Sequence, residues 1–83
     1  MRCEEIETLI SEGLKCVRAQ VLSDDGTHFE AVVVSSAFDG CRPLQRHQMV
    51  YATLGARVGR EIHALSLQTY TPGEWAAAGG ETG

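Results

Sequence analysis

Val17-Arg18-Ala19-Gln20-Val21-Leu22-Ser23-Asp24-Asp25-Gly26-Thr27-His28-Phe29-Glu30-Ala31-Val32-Val33-Val34-Ser35-Ser36 holds two β-rich runs separated by a turn. In the first, apolar Val17, Ala19 and Val21 alternate with Arg18 and Gln20, the period of a half-buried strand. Phe29, Ala31 and Val33 lie in the second, which ends at Ser35-Ser36. Asp25-Gly26 between the runs signals a hairpin, because glycine accepts the positive φ that tight connections demand. The two strands are expected to be antiparallel neighbours.

Upstream, Ile6, Leu9, Ile10, Gly13 and Leu14 recur at helical spacing, with Glu4, Glu5 and Glu7 in the first turns where the helix dipole favours negative charge. Downstream, Asp39-Gly40-Cys41-Arg42-Pro43 reads as a loop. Leu44, Tyr51, Leu54 and Val58 then predict a second helix, weakened at Gly55 and Gly59. From Ile62 to Tyr70 the chain returns to β character, with His63, Leu65, Leu67 and Thr69 on one side. Leu65 and Leu67 mark that side as the core face, so His63 is expected to share it. Thr71-Pro72-Gly73-Glu74 combines a capping hydroxyl, a proline at the first helical position and a glutamate at the capping-box position. Trp75 is expected to anchor the short helix that follows.

The order is therefore α-β-β-α-β-α, an α+β fold. The helical crossover puts the third strand parallel to the second, giving a three-stranded mixed sheet with helices packed on one face. Residues 1–78 are expected to form a single domain and residues 79–83 a flexible C-terminal tail.

At 83 residues and 9.0 kDa the chain is too small for a deep pocket between two lobes. Its 43% hydrophobic and 22% charged residues, with two prolines, exclude a disordered or fibrous chain. The longest apolar run, Ala31 to Val34, is far too short to cross a bilayer, so no membrane partner is expected. Met1-Arg2-Cys3-Glu4-Glu5 lacks the basic start and apolar centre of a secretory signal, and a cytoplasmic location is expected. Cys3, Cys16 and Cys41 are widely spaced without a C-x-x-C, which predicts free thiols.

Net charge is -4, yet Arg42 to Arg60 carries four arginines and no acid. This stretch is either a solvated helix face or a surface for an anion, a nucleic acid or an acidic partner, with Arg46, Arg57 and Arg60 as the candidate contacts. No nucleophile elbow, Walker A, H-E-x-x-H or dinucleotide fingerprint is present. Cys41 with His47 lacks an orienting third group, so no enzyme and no small-molecule substrate are expected. The three histidines have ordinary accounts: His28 as a turn residue, His47 on a helix face, His63 at a strand end. Neutral imidazole is also a metal ligand, and in so small a domain two imidazoles would leave an incomplete site for a partner to finish.

Four blocks stand in order between Val33 and Trp75: Val33-Val34-Ser35-Ser36-Ala37-Phe38-Asp39-Gly40, Arg46-His47-Gln48-Met49-Val50-Tyr51, Ile62-His63-Ala64-Leu65-Ser66, and Thr69-Tyr70-Thr71-Pro72 with Glu74-Trp75. Together they resemble the BolA family, specifically its short bacterial YrbA-like (IbaG-like) branch. The resemblance implies a BolA-like fold related to the type II KH domain, in agreement with the element order above. It also implies iron-sulfur cluster trafficking and iron homeostasis, through a 2Fe-2S cluster shared with a CGFS-type monothiol glutaredoxin and glutathione. No cofactor is expected in the isolated apo protein. His63, the histidine of the Ile-His-Ala block, carries over as one cluster ligand. The family takes its second ligand, a histidine or a cysteine, from the loop between the first two strands, where His28 is the candidate.

Some family members are credited with nucleic-acid binding and transcriptional or stress regulation, which stands as the alternative function. KH domains clamp a nucleic-acid backbone with a G-x-x-G loop. Gly55-Ala56-Arg57-Val58-Gly59 is one residue longer, so that clamp does not carry over. A third alternative is an adaptor whose histidines only pack and whose basic helix meets an acidic partner.

Overall fold

A computed structural model describes residues 2–79, and in it the hairpin forms as the sequence predicts. Strand β1 (Arg18–Leu22) runs antiparallel to β2 (His28–Val34), from Arg18 opposite Val34 to Leu22 opposite Glu30. Strand β3 (Ala64–Tyr70) lies parallel to β2 on its other side, from His28 opposite Ala64 to Val34 opposite Tyr70. A parallel return needs a crossover, and helix α2 (Pro43–Leu54) supplies it. Helix α1 (Cys3–Gly13) precedes the sheet and α3 (Pro72–Ala77) follows it, while short 3-10 turns occupy Ser36–Phe38 and Gly55–Arg57.

Val21, Phe29, Ala31 and Val33 turn one face of the sheet toward Ile6 and Ile10 of α1 and Val50 and Leu54 of α2. Phe38 and Ile62 complete this core, whose members are all at most 3% exposed. At the first strand's outer edge, the Val21 N–H donates to the Glu7 carboxylate at 2.8 Å, so a helix side chain satisfies a strand-edge donor. Buried Ser35 fastens the end of β2: its hydroxyl donates to the Lys15 carbonyl and accepts from the Ala37 N–H.

Three expectations change. Helix α2 faces the core with Val50 and Leu54, whereas Leu44 is 69% exposed and Tyr51 37%. Of the predicted stripe, Leu54 is buried and Val58 packs on the core just beyond the helix, while Leu44 and Tyr51 turn outward because the inward face begins with half-buried Arg46 and His47. Val17 lies ahead of β1 and is exposed, tied only through its N–H to the Val34 carbonyl. His63 does not share the core face either: Ile62 is fully buried and His63 exposed. Residues 62 and 63 precede β3, and the Ile62 N–H donates to Arg57 O while its carbonyl accepts from Gly59, so the strand period does not reach them.

A fourth expectation, that the helices pack on one face, holds for α1 and α2 but not for α3, which closes the other face at a single end because Trp75 packs against Tyr70 and Arg18 there. Arg18, Val34 and Tyr70 form one row of the sheet. Val34 is 1% exposed although it lies outside the main core cluster. Trp75 packs there, its ring centroid 5.1 Å from that of Tyr70 and the Arg18 guanidinium 5.6 Å from its own centroid. The predicted capping box holds α3: Thr71 N–H donates to Glu74 Oε1 and Glu74 N–H to Thr71 Oγ1. Of the tail expected over 79–83, Gly79 ends the described chain in a turn and residues 80–83 lie outside it.

Candidate functional site

The parallel register creates the one pairing of histidines. His28 opens β2 opposite Ala64, so the residue before Ala64 arrives beside it. The N–H groups of His63 and Ala64 both donate to the Thr27 carbonyl, at 3.0 and 3.2 Å. The two imidazole centroids stand 5.9 Å apart in an edge arrangement, and both residues are exposed.

The hairpin loop is built around Asp25. Its Oδ1 accepts the Thr27 and His28 backbone N–H groups, each at 2.9 Å, and its Oδ2 lies 2.7 Å from His28 Nδ1. Ser23 Oγ accepts from the Gly26 N–H and donates to the His28 carbonyl. Gly26 takes φ +77°, the conformation for which the hairpin signal was read. The His28 and Thr27 backbone donors, followed by the His28 ring, hold the Asp25 carboxyl far below the usual carboxylate range. Leu22, Asp24, Glu30 and Ser66 line a shallow, acidic concavity together with Asp25 and His28.

The other candidates stand elsewhere. His47 is half-buried on α2. All three cysteines are free and partly buried, and burial raises the Cys16 thiol. Among the described residues no group of three or more His, Cys, Asp or Glu side chains is gathered for a metal ion. His28 and His63 therefore form a two-donor arrangement.

The structure divides the arginine segment. The Arg46 side chain is 11% exposed and its guanidinium is occupied: Nη1 and Nη2 donate to the two Glu74 carboxylate oxygens at 2.6 and 3.1 Å, and Nε to the Cys41 carbonyl. Its fork ties α2 to α3 rather than facing a phosphate. Arg57 and Arg60 remain exposed, but Leu54 alone is already eight helical steps from Arg46, about 12 Å at 1.5 Å each. Arg57 also lines a shallow depression with Glu5 and Glu61, which dilutes its positive field. Sequence reading missed two partners, Asp25 for His28 and Glu74 for Arg46. The first was available in principle, because Asp in a turn accepts backbone N–H groups two and three residues on.

Residues 11–74 match the family described as BolA-like protein. The chain belongs to the BolA family. It is 36% identical to the acid stress protein IbaG of Escherichia coli over 92% of this chain and 90% of that protein, which places it with the IbaG-like branch. It is 51% identical to human BolA-like protein 1 over 59% of this chain and 36% of the human one, so the match takes in about a third of that relative's length. It is 45% identical to the DNA-binding transcriptional regulator BolA of E. coli, over 70% of this chain and 55% of the regulator. Among solved structures, a BolA homologue from Coxiella burnetii superposes with a TM-score of 0.75 at 44% identity, covering 92% of this chain and 97% of the other. The fold of this BolA-family chain is thus the fold of its relatives, with the mixed sheet at its centre.

Proposed function

We propose that this BolA-family chain acts in iron-sulfur cluster trafficking and iron homeostasis in the cytoplasm. It shares a 2Fe-2S cluster with a CGFS-type monothiol glutaredoxin and glutathione, and His28 and His63 are its two ligands. The observation that carries this reading is the exposed imidazole pair with centroids 5.9 Å apart, held at the adjoining ends of two strands. Neutral imidazole suits iron, and two donors leave coordination for a partner's thiolates to complete. The donor set therefore fits a shared cluster better than a private metal ion, for which this chain gathers no third ligand among the described residues. A bound cluster would supply one-electron chemistry, and imidazole in place of thiolate lowers its negative charge and raises its potential. The chain's own part is to hold two donors on rigid strand ends at an open surface, a carrier's work rather than a catalyst's.

The test mixes the protein with a monothiol glutaredoxin, glutathione and a reconstituted cluster, and compares visible circular dichroism for wild type, His63→Ala and His28→Ala. Wild type is expected to change the glutaredoxin spectrum and each variant to lose that change. Variants that match wild type would remove the two histidines as ligands, and a stable complex in which no protein, wild type included, alters the spectrum would remove the shared cluster and bring the adaptor and nucleic-acid readings forward.

Nucleic-acid binding is the second reading, favoured by the exposure of Arg57 and Arg60. The E. coli relative named as a DNA-binding regulator is consistent with it. With Arg46 withdrawn into its ion pair, two candidate phosphate contacts remain of three, and the salt dependence of DNA affinity tests them.

A further inference from the structure

A histidine can offer an iron only a nitrogen that carries no proton, so the tautomer of His28 decides which atom is available. The surroundings of its ring determine that tautomer. Asp25 Oδ2 lies 2.7 Å from Nδ1, and an ionised carboxylate can only accept. A bare Nδ1 at that distance would set lone pair against lone pair, so the proton belongs on Nδ1 and is donated to Asp25. Thr27 Oγ1, 3.1 Å from the same nitrogen, can accept a share of that proton or turn its own hydrogen elsewhere. A hydroxyl rotor adapts, whereas the carboxylate does not.

Nor can the carboxylate turn away. Its other oxygen is engaged by two backbone donors, Thr27 N–H and His28 N–H, both at 2.9 Å. Each bond runs to the same short loop that carries His28, so Asp25 and the imidazole it faces are positioned by one structure. From this we infer that Asp25 is a positioning residue for His28: it fixes the Nδ1–H tautomer and leaves Nε2 unprotonated as the donor atom. The inference rests on the proposed role of His28 as a ligand. The pattern of a carboxylate behind a metal-binding imidazole orients the ring and raises its basicity. His63 has no such carboxylate partner among the described hydrogen bonds and ion pairs, so the two ligands of the pair are held by different means.

Asp25→Asn tests this with little change of shape. The amide oxygen is expected to keep the two backbone N–H bonds, since turning the amide NH2 toward them would face donors with donors. The NH2 then points at His28 Nδ1 and donates to it, which drives the ring proton to Nε2 and blocks that atom. Ring nitrogen chemical shifts in the apo protein, read by NMR above the imidazole titration, report the tautomer without any cluster. Wild type is expected to be Nδ1–H, Asp25→Asn to be Nε2–H, and Thr27→Val to stay Nδ1–H. In the glutaredoxin mixture, Asp25→Asn is expected to weaken the shared-cluster dichroism titration by about 10- to 100-fold, the range found for such supporting contacts. An Nε2–H ring in wild type, or an unchanged tautomer in Asp25→Asn, overturns the inference. So does a reversed tautomer with wild-type cluster titration while His28→Ala still abolishes the signal, and in that case His28 remains a ligand. If neither His28→Ala nor His63→Ala alters the signal, the shared-cluster reading itself has failed, and the positioning role falls with it whatever the tautomer.

Discussion

Gly13→Ala should destabilise the fold, although alanine ordinarily favours a helix. Gly13 is the last residue of α1, and a methyl group built on it would stand 2.5 Å from Thr53 Cγ2 and 2.9 Å from Thr53 Cβ on α2. Carbon atoms prefer about 3.5–4.0 Å, so both contacts are deeply repulsive. Rotating Thr53 could relieve the first but not the second, because Cβ moves only with the α2 backbone. The Thr53 hydroxyl also donates to the Val50 carbonyl at 2.6 Å, which ties down its rotamer. The helices must therefore separate, and overpacking of this kind costs about 1–3 kcal/mol. Against that stands a helix-propensity gain of at most about 1 kcal/mol, smaller at a terminal position. With overpacking near the middle of its range and the terminal propensity gain well below its ceiling, the balance is a loss of about 1–2 kcal/mol, or a fall in Tm of about 4–8 °C for each kcal/mol in a domain of this size. Urea unfolding followed by far-ultraviolet circular dichroism measures it. Thr53→Ser removes Cγ2 and keeps the hydroxyl, so the double variant should recover part of the loss. A Gly13→Ala protein as stable as wild type, or a double variant additive within about 0.3–0.5 kcal/mol, would refute close approach as the reason for this glycine.

The Arg46–Glu74 pair makes a pH-dependent prediction: hydrogen bonds from Arg46, then from the Thr71 backbone, lower the Glu74 carboxyl from 4.5 to about 2. A carboxyl lowered in the folded state stabilises above its unfolded value and loses that contribution as pH falls through the folded one. Thermal melts should show wild type above Glu74→Gln at pH 7, with the gap closing between about pH 4.5 and 2; a gap independent of pH would remove the ionised pair as its cause. For the nucleic-acid reading, two phosphate contacts from Arg57 and Arg60 predict a log-log salt slope of about -1.8 on duplex DNA. Double replacement of these arginines should flatten it, and an unchanged slope would place the contacts elsewhere.

The hairpin was legible because its evidence is local: a two-residue period on either side of Asp25-Gly26 needs nothing distant to be read. The α3 cap was legible for the same reason, Thr71 and Glu74 being three residues apart. The inward face of α2 was legible only at its Leu54 end, because the helix enters the protein interior with Arg46 and His47, and Arg46 is suited to that place by the Cys41 carbonyl and by Glu74, the latter 28 residues away. Resemblance singled out His63 and made His28 the candidate second ligand, but nothing in either stretch says that the rings meet. Their meeting follows from the β2–β3 register, which sets Phe29 against Leu65, Ala31 against Leu67 and Val33 against Thr69 on the helix-covered face. A slip of one residue would turn those apolar side chains out of the core, so the packing of the core specifies the register. The exposed histidines contribute little to that packing and are carried to their positions by it. Replacing either one can therefore remove a proposed ligand while leaving the fold intact, and this separation lets the histidine variants test cluster sharing rather than report on unfolding.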